Sequence, residues 1–150
     1  LGNPEASKRK IRAGWNRSGD VGHSDAEGWL YFDYRKGGGI RHNGDFVNPG
    51  FVEKVVAESG LADDVYVYGV PALSGAPGEK DVVAAVVARD PAAFDPAALF
   101  AHCRAGLEPN FVPGYLQLVD EIPKTASEKP QERFLLERFS LAAEGVYAAR

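Results

Sequence analysis

The chain has 150 residues, 45% hydrophobic and 25% charged, the balance of a globular protein with room for one real core. Its formal net charge of −4 gives no general pull toward nucleic acid, so any anion must be held by local groups. The single cysteine, Cys103, excludes an internal disulfide and suits a reducing, cytoplasmic setting, and no apolar run approaches the roughly 20 residues that span a bilayer.

Methionine is absent, and the opening LGNPEASKRK reads as mid-phrase, so a piece of a longer protein is expected. Asn3-Pro4 carries a helix start, with Gly14 as its end. GHSDAEG is a turn leading into the strand-like WLYF, a first β-hairpin. The run Gly37-Gly38-Gly39 follows, flanked by Arg35, Lys36 and Arg41. Ile40 to Val47 forms a second, short hairpin turning at His42-Asn43-Gly44. Asn48-Pro49 caps a helix to Ser59, with Gly60 as its stop. DDVYVYGV alternates at period two, and DVVAAVVAR reads as a buried strand. Asp95-Pro96 caps a helix through Arg104, stopped by Gly106. EPNFVPG is a rigid loop, YLQLV a third strand and IPKTASEK a loop, and Pro130 opens a last helix.

The fold class is therefore α+β: a β-hairpin and a three-stranded sheet flanked by helices on one or both faces. Val65, Val67, Val82, Val83, Val86, Val87, Leu116 and Leu118 are the expected sheet core, with Val55, Leu99 and Phe100 on the helix faces. The glycine run is the natural boundary, because the stretch before it is too short to bury a core of its own.

Three stretches could carry chemistry. Asp20 lies between glycines in S-G-D-V-G, where backbone approaches closely and a carboxylate can accept two hydrogen bonds from a diol; a tight-turn aspartate is the plainer reading. The cations around the glycine run fit either a solvated loop or a joint that meets a phosphate. Lys129 precedes Pro130, and a lysine there is a compact charge suited to oxygens whose charge changes; Lys124 is its competitor. His23, His42 and His102 show no ligand-like clustering, and Cys103 reads as packed on a helix face.

The ordered set G-W-x-x-S-G-D-V-G, D-x-x-G-W-L-Y-F, R-x-x-x-x-I-R-x-x-G, V-x-P-x-x-V-E, G-V-P and P-K-T-x-S-x-K resembles the C-terminal part of the adenylate-forming enzymes. These are the acyl-CoA synthetases, peptide-synthetase adenylation domains and beetle luciferases. The resemblance implies that residues 1–33 (a helix plus β-hairpin) end a large N-terminal adenylation domain, residues 34–39 are a hinge, and residues 40–150 are a small mobile lid. It implies ATP, Mg²⁺ and coenzyme A as cofactors, bound mostly with the N-terminal domain, and no metal ligand in this chain. Lys129 matches the catalytic lysine. Asp20 and Arg35 match ribose-contacting residues. Gly44 and the neighbouring Arg41 match the segment lining the pantetheine tunnel in a second, thioester-forming pose. Tyr34, Gly37, Gly38 and Gly39 fall at the hinge, and Glu53 matches a structural glutamate that would position the hairpin.

There are departures. Tyr34 stands where Asp or Lys is usual, Ser18 replaces Thr, and Glu128 replaces the glycine before the lysine, as in carnitine-type and bile-acid-type CoA ligases. The expected activity is that of a CoA ligase of the carnitine-type or fatty-acyl kind acting on a small-molecule carboxylic acid, the fragment being inactive alone. A carrier-loading adenylation domain and a non-catalytic domain keeping the fold are the alternatives. The expected partners are the chain's own N-terminal domain and, through apolar surface on the strip 1–33, a second copy in a homodimer.

Overall fold

The computed structural model describes residues 11–12, 15–16, 18–35 and 39–149. The chain divides into two compact units, residues 1–39 and 40–150.

In the first unit, β1 (Ile11–Arg12) pairs antiparallel with β2 (Trp15–Asn16). The helix expected from Asn3 otherwise lies outside the described residues, but it does not run to Gly14. Ile11 and Trp15 are residue types that favour strands, and the pairing of Ile11 with Asn16 and of Arg12 with Trp15 ends the helical signal sooner. A hairpin follows, β3 (Asp20–Ser24) against β4 (Leu30–Arg35), with an irregularity at Val21/Gly22. Asp25 shapes its turn. Its Oδ1 accepts from the Glu27 and Trp29 amides at 3.0 and 2.9 Å, and Oδ2 accepts from the Tyr31 hydroxyl at 2.8 Å. That hydroxyl, chiefly, holds the Asp25 carboxyl below its ordinary range.

The second unit starts with a hairpin, β5 (Ile40–His42) and β6 (Asp45–Val47). Then come α1 (Pro49–Glu58), β7 (Ala62–Pro71), β8 (Lys80–Ala88), α2 (Pro96–Gly106), a 3₁₀ turn (Pro109–Phe111), β9 (Tyr115–Leu118), α3 (Glu132–Arg138) and β10 (Val146–Ala148). The sheet order is β10-β9-β8-β7. β8 and β9 run parallel, joined by a crossover through α2; the other two pairings are antiparallel. The sheet thus has the three expected strands and a fourth, β10, in a stretch where no strand was expected.

Both sheet faces are covered, and β8 shows why. Val82, Ala84 and Val86 join a cluster with Val52, Val56, Leu99 and Phe100 of α1 and α2. Val83 and Ala85, on the opposite face, join Tyr68, Tyr115 and Leu135 of α3. All five β8 residues are fully buried, so a continuous apolar run serves two cores at period two. Leu99, Leu116 and Leu135 are buried in the same clusters, each contributing roughly 1.5–3 kcal/mol. Of the expected sheet core, Val65, Val87 and Leu118 are only partly buried.

The caps follow the sequence. Asn48 accepts from the Gly50 amide at 3.0 Å and Asp95 from the Ala97 amide at 2.8 Å, each followed by proline. Gly60 takes the left-handed conformation, φ +72°, after α1. Gly106 does not stop α2 in that way; it is the helix's last residue, and a Cβ there would lie 2.9 Å from Val55 Cγ1. Close approach of α1 and α2 is what requires glycine at that position. Pro130 is not the first residue of α3 either. It bridges to Lys124, and the helix begins at Glu132. Cys103 is buried, and burial pushes its thiol up to about 11, so it packs as a small apolar side chain.

Candidate functional site: two stapled loops on opposite ends of a ribbon

The loop after β9 presents Lys129. Glu128 N–H donates to the Thr125 carbonyl and Thr125 N–H to the Lys129 carbonyl, both at 2.9 Å, while Lys124 and Pro130 form the bridge below. This is a three-residue hairpin loop, a turn followed by one residue in the left-handed region. That residue is Glu128, at φ +60°. The position normally given to glycine by the resembling family is therefore one whose backbone favours glycine. Thr125 adds a staple: its Oγ1 accepts from the Lys129 amide at 3.2 Å.

The two lysines of this loop differ in what they touch. Lys124 Nζ donates to Asp64 Oδ2 at 2.7 Å, and that bond raises its pKa above the ordinary value. Lys129 is exposed and makes no ion pair among the described residues. One lysine fastens the loop to β7, and the other projects from its tip.

Gly44 lies in the β5–β6 turn. Asn43 and Gly44 have φ of +49° and +87°, the mirror-image turn that Asn-Gly favours between paired strands. Its glycine is required by the backbone first; a Cβ there would meet nothing within 4 Å. Glu79, on the β7–β8 loop, reaches this turn. Its Oε1 accepts from Arg41 Nε at 2.8 Å and its Oε2 from the Gly44 amide at 3.3 Å. Arg41, more than any other group, holds the Glu79 carboxyl below its usual range. His42 Nδ1 lies 2.6 Å from the Lys80 carbonyl and Nε2 lies 3.0 Å from Asn43 Nδ2. A carbonyl only accepts, so Nδ1 carries the proton. On the other strand, Asn110 donates to Asp45 at 2.7 Å.

The two loops are fastened at opposite ends of the β7–β8 ribbon. The Lys129 loop is tied to Asp64, while Lys80, whose carbonyl holds His42 beside the Gly44 turn, pairs with Pro71. Asp64 and Pro71 are seven residues apart on one strand, about 23 Å at the usual rise. The second unit thus unites Arg41 with Gly44 and keeps Lys129 away from both.

In the first unit, Asp20 and Arg35 are register partners across β3 and β4. The Asp20 amide donates to Ser18 Oγ at 3.1 Å. Tyr34, assigned to the hinge, pairs with Val21 inside β4, which continues through Arg35. Gly37 and Gly38 lie outside the described residues; Gly39 is a bend before β5. Glu53 lies within α1, and its Oε1 accepts from the Val67 amide at 2.9 Å. It positions α1 on β7 rather than positioning the hairpin. Among the described residues, no group of three or more His, Cys, Asp or Glu could hold a metal ion, and no helix is long and apolar enough to cross a membrane.

The second unit is thus a small α+β domain with helices on both faces of its sheet and two stapled loops at opposite ends of one ribbon. The chain belongs to the AMP-binding enzyme C-terminal domain family, whose profile matches residues 52–129, more than half its length. It is 33% identical over 143 residues to the 2-succinylbenzoate–CoA ligase of Listeria monocytogenes, covering 94% of this chain and 29% of that protein. It is 37% identical over 134 residues to a long-chain-fatty-acid–CoA ligase of Bacillus subtilis, covering 89% of this chain and 23% of that protein. Among solved structures, o-succinylbenzoate CoA synthetase from Bacillus subtilis, in complex with its acyl-adenylate intermediate, superimposes with a TM-score of 0.78 at 26% identity, over 89% of this chain and 26% of that one. The amide bond synthetase McbA from Marinactinospora thermotolerans gives a TM-score of 0.76 at 33% identity, over 91% of this chain and 28% of that one. The chain spans about a quarter of the length of these relatives.

Sequence reasoning missed Glu79, Asp64 and Asp25. Asp25 had a local signal, an Asx-type turn in S-D-A-E-G. Glu79 and Asp64 act on residues 35 and 60 positions away, and no local pattern reports such contacts.

Proposed function

We propose that this chain is the C-terminal part of an ATP-dependent, AMP-forming acyl-CoA ligase acting in the cytoplasm, with its own N-terminal domain as partner. In the first half-reaction a carboxylate oxygen attacks the α-phosphorus of ATP and pyrophosphate leaves. In the second, the thiol of coenzyme A attacks the acyl carbonyl and AMP leaves.

The observation that carries this reading is the contrast between the two lysines: one tied to Asp64, the other exposed on a stapled loop. An uncommitted ammonium on a fixed stem suits oxygens that gather charge in a transition state. Lys129 would stabilise the charge where carboxylate meets phosphate; it is not asked to move a proton. Asp20 would accept from ribose hydroxyls, with Arg35 beside it in register. Gly44 and Arg41 would serve the thioester step. Among the described residues there is no cluster of ligands for magnesium.

The two half-reactions test this in the intact ligase. Lys129→Ala should slow adenylation by roughly 10²-fold or more, the scale for losing one preorganised group, and spare thioester formation from supplied acyl-adenylate. Lys124→Ala should change adenylation by less than about threefold, since an exposed ion pair contributes little. Gly44→Asn, which tolerates positive φ and adds a side chain, should impair the thioester step alone. Loss of the same half-reaction in both the Lys129 and Gly44 variants would refute the two-pose account.

The match to an amide bond synthetase favours a second reading, in which the acceptor is not free coenzyme A. Comparing free coenzyme A, a carrier's pantetheine arm and an amine as acceptors separates the two.

A further inference from the structure

We infer that Glu79 is a positioning residue: one carboxylate bridges the Arg41 side chain and the Gly44 amide and thereby fixes the turn that faces the acceptor. The inference rests on the reading above, in which that turn serves the thioester step.

Glu79 Oε1 accepts from Arg41 Nε at 2.8 Å and Oε2 from the Gly44 amide at 3.3 Å. Only a carboxylate presents two acceptors side by side. A glutamine would turn its NH₂ toward one of two donors and satisfy only the other. At Gly44 itself no packing replaces this bridge: beyond its chain neighbours nothing lies within 4 Å of where a Cβ would sit, and the side-chain bond inside the turn, Asn43 to His42, does not involve the Gly44 amide. The hairpin's other fastenings act elsewhere. His42 to the Lys80 carbonyl and Asn110 to Asp45 hold residues on either side of the turn, while Ile40 and Val47 anchor the strands in the core. Removing the carboxylate should therefore free the turn and leave the hairpin folded. The bridge also aims Arg41, which pairs across the strands with the exposed Phe46. A cation and an aromatic ring then border one turn in a fixed relation.

The first test uses the chain itself, with amide hydrogen exchange read at Gly44 and at His42 and Val47 as internal controls. Glu79→Ala should speed Gly44 exchange about tenfold and Glu79→Gln about threefold, the scale of a charge-assisted bond lost wholly or in part, with the controls unchanged. An unchanged Gly44 rate in Glu79→Ala overturns the inference and leaves the ligase reading intact. The second test uses the intact ligase with supplied acyl-adenylate. Thioester formation should fall about tenfold in Glu79→Ala and recover in part in Glu79→Gln, with adenylation within twofold of wild type. If Gly44 loosens but the thioester rate holds, the inference falls, and so does the role given to the turn. The Lys129 result stands apart from both. Equal loss in both half-reactions would mark Glu79 as merely structural and overturn the inference too.

Discussion

Glu128→Gly is expected to stabilise the domain, against the usual direction for a change to glycine. Two terms of opposite sign decide the outcome. Glu128 sits at φ +60°, where a side chain costs about 1–2 kcal/mol relative to glycine. Glycine adds freedom to the unfolded chain, worth about 0.4–1 kcal/mol in the other direction. The residue is exposed, so no packing is lost. The strain term wins by about 0.5–1 kcal/mol, or about 2 °C in the thermal midpoint of a chain this size. Thermal unfolding at neutral pH, followed by circular dichroism, measures it. Glu128→Ala keeps the Cβ and should gain nothing, and Glu128→Asn should fall between, because asparagine tolerates this region. A Glu128→Gly midpoint at or below wild type would refute the reasoning, as would an equal gain from Glu128→Ala, which would point to charge removal rather than backbone strain.

Tyr68→Phe should cost about 1–3 kcal/mol in urea unfolding. It strands the buried Gln117 Oε1, which accepts from the Tyr68 hydroxyl at 2.6 Å while Gln117 Nε2 holds the Leu135 carbonyl of α3; a loss under about 0.5 kcal/mol would show that the bond is dispensable. Burial, ahead of its other influences, raises the Glu53 carboxyl above its ordinary 4.5. A folded pKa above the unfolded one gives stability that is full below pH 4.5 and lost as pH rises through the folded value. Glu53→Gln should therefore gain on wild type between pH 4 and pH 7 in paired denaturation curves, and a constant difference would contradict it. The Glu79 carboxyl is shifted the other way, chiefly by Arg41, so its bridge should be intact at neutral pH and lost as pH falls through its lowered folded value. Gly44 exchange, corrected for its intrinsic pH dependence, should show protection falling on acidification.

The parts of the fold that a reader of the sequence can see are those whose causes are local. Asn48-Pro49 and Asp95-Pro96 are caps and first turns in adjacent residues, and both helices begin there. The apolar run of β8 reads as buried because both its faces are. β10 has only Val146, Tyr147 and Ala148, and is a strand because the β9 edge is there to pair with it. Pro130 misleads for the same reason: its bridge to Lys124 takes it out of the helix. Gly106 looks like a helix stop until Val55, far away in sequence, is found against it. In the site, the motif names Lys129 and Gly44, but the groups that fasten their loops, Asp64 and Glu79, come from other strands' ends. Nothing near Lys124 in the chain announces that it is already engaged.

The fastenings themselves limit how the two loops can act. Each is stapled: one through Thr125, the Lys124–Pro130 bridge and Asp64, the other through Glu79, Lys80 and Asn110. Their anchors are about 23 Å apart on the ribbon, and a lysine side chain spans only roughly 6 Å. Flexing of either loop would have to break its staples and would still fall short of the other end. If Lys129 and Gly44 serve one reacting centre in turn, the sheet must carry them there as a rigid body.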